Sequence, residues 1–394
     1  MNLTKKKSSK DIISLPFPVY FWTVAFLTTA GLADSIYLAI SHYRVYTDVA
    51  YSSFCAISKA INCDTVSQTS YSIFLNVPVP VWGIVGHTFF LLFLPFAWKK
   101  EADKKRIWPI LFFISSIFSI YSVILAVISA YYIHSYCIMC ILSFGLSFFL
   151  LYYTWLISKR FGRFDILHGL RLDIDYLWKF RKKTLPVFIP FLSFVLVLFI
   201  AFPVYWNLAP PLLSKEMLHG ITKDGHPWIG ARNPELEITE FTDYQCFQCK
   251  KMHFFLRQLI EEHPDKIRLI HRHFPMDHNF NPIVKQPFYI GSGQMALLAI
   301  YASSKDKFWQ MNDVLFEINR ESKTINIKEL AEAVGLNPVE LGHSVNNKML
   351  RSKLQRDILS GLKLRISGTP AYVIDKEVYL GLIPPEIIKS ALKR

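Results

Sequence analysis

The pattern of apolar and polar positions divides the chain into two unlike halves. The first holds five stretches that are too long and too apolar for a soluble core. They run approximately from Phe17 to Ile40, Val79 to Trp98, Ile107 to Ile133, Ile138 to Ile157 and Leu185 to Trp206. About 20 residues of helix cross a hydrocarbon layer of about 30 Å, so each stretch is expected to span a membrane. The first exceeds the apolar core of a cleaved leader, roughly 7–15 residues, and is expected to remain as an anchor. From residue 207 the pattern becomes that of a mixed, charged domain large enough to bury its own core. There Glu237–Gln245 reads as a buried strand, Ile267–Pro275 as a second strand ending in a turn, and Gln286–Leu364 as helical. Ser367–Ile374 reads as a turn entering a strand.

Composition agrees with a membrane half: 52% of residues are apolar, 15% aromatic and only 19% charged. The net charge of +14 invites a nucleic-acid reading until it is mapped along the chain. Four lysines precede the first span (Lys5, Lys6, Lys7, Lys10), five basic residues lie between spans two and three, and eight run from Lys159 to Lys183. Only Arg44 and Lys59 lie between spans one and two, and none between spans three and four. Basic residues collect on the cytoplasmic side of membrane proteins. The expected topology therefore has a cytoplasmic N-terminus and an extracytoplasmic C-terminal domain. The charge reports orientation, with no nucleic-acid partner expected.

Six cysteines form three pairs: Cys55 and Cys63, Cys137 and Cys140, Cys246 and Cys249. In the expected topology all lie outside or at the outer membrane edge, which fits an oxidising compartment. Two pairs are Cys-x-x-Cys. Closing so short a ring removes little unfolded-state entropy, so such bonds serve poorly as staples. A four-thiolate zinc site is the other reading of two such pairs, but one pair opens a membrane span and the other lies about 110 residues later in a soluble domain. Redox cycling is the stronger expectation. Cys137 and Cys246 each begin a helix, where unpaired amides favour a thiolate. Cys140, one turn deeper, is placed to meet a hydrophobic two-electron acceptor. Cys249 is placed to resolve a mixed disulfide at Cys246.

Several further motifs accompany these cysteines: Ala30-Gly31-Leu32-Ala33 with Ser35 and Tyr37, the seven-residue spacing of Cys55 and Cys63, Val77-Pro78-Val79-Pro80-Val81-Trp82-Gly83, and Cys137-x-x-Cys140. In these the sequence resembles the bacterial vitamin K epoxide reductase homologues fused to a thioredoxin-like domain. The second half resembles the DsbA-like branch of that superfamily, through Cys246, Cys249, Thr369 and Pro370. The resemblance implies a multi-domain fold: a four-helix transmembrane bundle (1–184), a fifth transmembrane helix (185–206), and an α/β thioredoxin-fold domain with a helical insertion (207–394). It implies that Pro370 is a cis-proline facing the active-site cysteines, supported by Thr369. It also implies a quinone, ubiquinone or menaquinone, as electron acceptor, met by Cys140 and contacted by Thr69, Ser70 and Phe144. The asparagine and tyrosine that contact naphthoquinone in the vertebrate enzyme are replaced here, by Val79 or its neighbours and by Phe144. Reduced secreted or periplasmic proteins are the implied partners, and the bacterial inner membrane the implied location.

Asp34 and His87 are polar residues inside spans, where the default is function, although helix–helix hydrogen bonding would also account for them. His253, His271, His273 and His278 raise a metal reading. With no carboxylate or thiol set evident beside them, they are expected at the surface or in a substrate groove. The expected function is a quinone-coupled disulfide-generating relay. A disulfide isomerase or reductase, and a metal-delivery protein using Cys246 and Cys249, are the alternatives.

Overall fold

The computed structural model describes residues 15–57, 61–98, 107–161, 166–211, 217–318 and 325–393. Lys5, Lys6, Lys7, Lys10, Lys59, Lys99, Lys100, Lys104, Lys105, Arg106 and Arg163, which contribute to the charge asymmetry, lie outside the described residues. The chain falls into two compact units. One comprises the residues through Val45 with Tyr51–Val204, the other Tyr46–Ala50 with Tyr205 onward.

The first unit is helical. Its elements are α1 (Phe17–Thr47), the short α2 (Cys63–Ser67), a small hairpin of β1 (Ile73–Phe74) and β2 (Val77–Pro78), and then α3 (Val79–Ala97), α4 (Trp108–Ile128), α5 (Ile138–Phe161), α6 (Ile166–Lys179) and α7 (Arg181–Ala201). Five of these helices are long and apolar enough to cross a membrane, α4 counted with the π-helical turn Ser129–Ile133 that continues it. Their bounds differ from the sequence expectation in instructive ways. α1 continues to Thr47 and α5 to Phe161. α7 begins at Arg181 rather than Leu185, because Arg181, Lys182 and Lys183 are good helix formers whose stems tolerate an apolar boundary. It ends at Ala201, since Phe202 precedes Pro203 and takes the extended conformation that proline imposes on its predecessor.

Apolar side chains on the outward faces, such as Phe26, Ile120, Phe149, Val197 and Ile200, stay exposed as a lipid-facing surface would require. Inside, small and hydroxylic residues let the helices approach. A Cβ on Gly31 would lie 2.2 Å from His87 Nε2, and one on Gly83 would lie 2.5 Å from Ser35 Oγ, so glycine is what allows α1 and α3 to close. Ser115 and Thr154 join α4 to α5 through a 2.9 Å hydroxyl pair, and Ser119 donates to the Ser147 carbonyl. Such contacts replace the hydrophobic drive that lipid cannot supply.

The second unit is built on a six-stranded mixed sheet. Its strands are β3 (His219–Ile221), β4 (Pro227–Gly230), β5 (Leu236–Thr242), β6 (Ile267–His273), β7 (Ala371–Ile374) and β8 (Glu377–Leu380), in the order β3-β4-β6-β5-β7-β8. β5 and β6 are parallel and linked by α8 (Phe247–Glu262), while β7 runs antiparallel to β5. Between β6 and β7 stand α9 (Ser292–Ser303), α10 (Phe308–Glu317), α11 (Ile327–Val334), α12 (Pro338–Ser344) and α13 (Lys348–Lys363). α14 (Pro385–Lys393) closes the unit. The fold is thus a helical membrane region joined to a thioredoxin-like α/β domain with a helical insertion. β5 stops at Thr242 rather than Gln245, because Asp243 turns the chain by accepting from the Gln245 amide at 2.7 Å. The inserted helices begin at Ser292 rather than Gln286.

Candidate functional site

In the membrane unit, α5 starts immediately after Cys137, and the Cys140 amide donates to Cys137 Sγ at 3.2 Å. The segment leading to it is pinned. His134 takes a left-handed conformation at φ 55° to end the π turn, and Tyr136 pairs with Ile61 in a parallel bridge while accepting from the Asn62 amide at 2.9 Å. Asn62 in turn caps α2, accepting from Thr65 N at 3.0 Å, and so fixes Cys63 at the first position of that helix. Cys55 and Cys63 are disulfide-bonded with Cα atoms 5.7 Å apart. The sulfurs of Cys55, Cys63 and Cys137 all lie within 4.8 Å of one another, and all three residues are buried. The loop that carries Cys55 and Cys63 therefore holds its disulfide within 4.8 Å of the first cysteine of the membrane pair.

Behind this cluster lies a cavity of about 550 Å³. Both Cys137 and Cys140 reach it, together with Thr69, Val79 and Phe144. Ser70 is exposed and does not line it, whereas Ser35, His87, Tyr121 and Ser143 do. These last belong to α1, α3, α4 and α5, and only packing brings them together.

In the soluble unit, Cys246 is the N-cap of α8 and its Sγ accepts from the Cys249 amide at 3.2 Å. The Thr369–Pro370 peptide is cis, and the Thr369 carbonyl lies 3.6 Å from Cys246 Sγ. Cys249 is sealed in the core, and burial, reinforced by Cys246 beside it, pushes its thiol well above the ordinary cysteine range. Asp243, three residues before Cys246, accepts from Met276 N, Ser292 Oγ and Gln245 N, yet burial raises its carboxyl to about 6.

Three of the four histidines overturn the surface or substrate-groove expectation, while His278 stays half-buried. His253, His271 and His273 are all buried. His253 and His271 donate through Nδ1 to Glu240 Oε1, at 2.7 and 2.8 Å. His253 Nε2 meets Asn312 at 2.8 Å, and Asn312 Oδ1 accepts from the Tyr244 hydroxyl. Burial opposes the Glu240 carboxylate, but His253 and His271 outweigh it and hold it at about 2. Glu240 is the residue that sequence reasoning missed. Its signal was parity, for it shares the inward face of β5 with Leu236 and Ile238.

Residues 22–155 match the profile of the Vitamin K epoxide reductase family, and residues 237–393 match the DSBA-like thioredoxin domain. The chain joins a vitamin K epoxide reductase family domain to a DsbA-like thioredoxin domain. This fused protein is a membrane thiol–disulfide oxidoreductase. Among solved structures it is similar to oxidised BdbD from Bacillus subtilis, at 19% identity over 45% of this chain and 98% of that one, with a TM-score of 0.36. A thioredoxin-like oxidoreductase from Silicibacter pomeroyi DSS-3 matches at 21% identity over 44% of this chain and 92% of that one, also with a TM-score of 0.36. The thiol-disulfide exchange protein alpha-DsbA2 from Wolbachia pipientis matches at 19% identity over 43% and 86%, with a TM-score of 0.34. No curated protein matches the chain.

Proposed function

We propose that this oxidoreductase is a disulfide-generating relay. It would draw electrons from reduced secreted or periplasmic proteins through Cys246 and Cys249, then Cys55 and Cys63, then Cys137 and Cys140, to a membrane quinone. Its working parts would be the bundle (1–184), a fifth transmembrane helix (185–206) and the extracytoplasmic domain (207–394), set in the bacterial inner membrane with the N-terminus cytoplasmic. The observation that carries the reading is the convergence of Cys55, Cys63 and Cys137 within 4.8 Å, beside a cavity that Cys140 also lines.

Each transfer is thiolate attack on a disulfide sulfur. A client thiolate opens the Cys246–Cys249 disulfide at Cys246, and the client's second thiol releases it as its own disulfide. The Cys246 thiolate then attacks the Cys55–Cys63 bond, and Cys249 resolves the mixed disulfide. A loop thiolate next attacks Cys137 Sγ with Cys140 as leaving group. Exchange is reversible, so net oxidation needs a final acceptor.

The cavity fits a quinone. Its volume lies in the range of small-ligand sites, Val79, Trp82, Phe118 and Phe144 offer apolar walls, and Thr69, Ser35 and Ser143 offer hydroxyls. A bound quinone would supply a two-electron, two-proton sink next to Cys140. The metal-delivery alternative is disfavoured, since His253 and His271 turn Nδ1 to Glu240 and Nε2 to Asn312, Thr242 and His273, and neither nitrogen of either ring turns to the Cys246 pair.

Purified full-length protein, given a reduced dithiol peptide and a soluble quinone, should consume one quinone per disulfide formed. Absence of quinone consumption while the peptide is oxidised would remove the relay. Cys249→Ala should accumulate a mixed disulfide between Cys246 and a loop cysteine, Cys55 being the one expected.

A further inference from the structure

The carboxylate that the sequence did not reveal beside its histidines is Glu240, and three elements converge on it. Glu240 lies opposite His271 in the parallel register of β5 and β6, and His253 reaches it from α8, the helix linking those strands. Glu240 Oε1 accepts from Nδ1 of His253 at 2.7 Å and from Nδ1 of His271 at 2.8 Å. The three atoms all lie within 4.8 Å of one another, and all three side chains are fully buried. Both imidazoles thus crowd one carboxylate oxygen, while Oε2 is buried without a hydrogen bond. Tyr372, opposite Glu240 in the register of β5 and β7, also buries its hydroxyl without one. Leaving a buried acceptor unsatisfied is costly, and hydrogen bonding alone would favour sharing the two donors between the two oxygens. Convergence on one point is what a cation asks of its ligands.

We propose that Glu240, His253 and His271 bind a first-row divalent cation, zinc being the one their nitrogen and oxygen donors suit best. Nδ1 of each histidine and both oxygens of Glu240 supply four donor atoms, so Oε2 gains the partner it lacks. Ligand atoms of separate residues stand about 3.3 Å apart around a four-coordinate zinc, so the cluster opens by about half an ångström to admit it. The groups behind the rings can follow. In the hydrogen-bonded state each Nδ1 carries the proton, and His253 Nε2 accepts from the Asn312 amide at 2.8 Å. His271 Nε2 lies 3.4 Å from the Thr242 hydroxyl and 3.3 Å from His273 Nδ1. Binding moves each proton from Nδ1 to Nε2. Asn312, Thr242 and His273 can each turn from donor to acceptor, and the Tyr244 hydroxyl on Asn312 can turn with it. No proton is released and no electron moves. Histidines that ligate metals ordinarily hold such a partner on the second nitrogen. The ion would tie β5, β6 and α8 together as a resident of the soluble unit, and the sulfurs of Cys246 and Cys249 take no part.

The test uses the full chain with its cysteine pairs closed as disulfides, so that thiols cannot bind metal. The protein is made in zinc-supplemented medium, purified without an immobilised-metal column and dialysed against a chelator before elemental analysis. About one zinc per chain should remain. His253→Gln and His271→Gln should each retain at least about tenfold less. Cobalt in place of zinc should give visible bands of nitrogen and oxygen ligands, with no thiolate charge transfer. Less than about a tenth of an ion of any first-row metal in the unaltered protein would overturn the site, whether or not the variants fold. Zinc that persists in both folded variants would also overturn it, because the ion would then sit elsewhere. Quinone consumption does not enter, so the relay and the metal site stand or fall separately.

Discussion

The two Cys-x-x-Cys pairs share one local geometry and differ in everything around it. In each, the first cysteine precedes a helix and accepts from the amide of the second at 3.2 Å. Around the membrane pair stand a buried disulfide and a cavity. Around the soluble pair, Cys249 is sealed in the core, Asp243 accepts three hydrogen bonds, and Glu240 is held by two histidines. A Cys-x-x-Cys at a helix start supplies the thiolate, and its surroundings determine what that thiolate meets. In the relay proposed above, one pair would hand electrons into the bilayer and the other would take them from chains in water.

The largest effect should come from separating the pairs chemically. Cys140→Ala should bring quinone consumption to background while Cys246 still forms mixed disulfides with a dithiol peptide. Cys246→Ala should reverse the pattern, keeping quinone reduction by a small dithiol and losing reaction with folded-protein thiols. Both are read from quinone absorbance and gel-resolved disulfides. If either substitution silenced both reactions, the division of labour would be wrong.

The next effect concerns Glu240, whose hydrogen-bonded network has no counterpart beside the membrane pair among the described residues. Glu240→Ala leaves two buried histidines without their acceptor and should destabilise the soluble unit by about 4 kcal/mol. Its pH signature has a definite sign. A carboxyl held near 2 when folded, against 4.5 when unfolded, contributes stability that is complete above about pH 4.5 and is lost as pH falls toward 2. The difference between the unaltered protein and Glu240→Gln should therefore be about 3 kcal/mol near neutrality and shrink through that acid window. Hydrogen exchange of the β5 and β6 amides measures it within the full chain.

How far the sequence foretold this arrangement depended on the range of the interaction. Spans are legible because a bilayer sets their length, and a Cys-x-x-Cys at a helix start is legible because the motif is local. Thr69 and Phe144 were expected at the cavity through resemblance, whereas Tyr121 and Ser143 line it only because α4 and α5 pack closely. Glu240 was hidden for the same reason. Its partners stand on α8 and β6, 13 and 31 residues away, so the histidines looked solitary in the sequence although they share one oxygen in space. Asp34 was conspicuous as a charge in a span, and it is buried.

The smallest expected effect tests whether the two regions also end their helices differently. In the soluble unit, caps are local. Asn326, Asn337 and Asn347 each accept from amides two and three residues ahead. In the membrane unit, the start of α4 is capped from another helix. Asp173 of α6, fully buried, accepts from Ile107 N at 2.8 Å and from Ile110 N at 3.3 Å, 66 and 63 residues away. A carboxylate facing free helix amides is favoured by the dipole and by charge-assisted hydrogen bonding. Asn347→Ala should cost about 1 kcal/mol and loosen only the start of α13. Asp173→Ala should cost a similar amount, but the loosening should spread to both α4 and α6, because one side chain serves two elements. Hydrogen exchange that changed at α4 alone would show that the long-range cap does not couple the two helices.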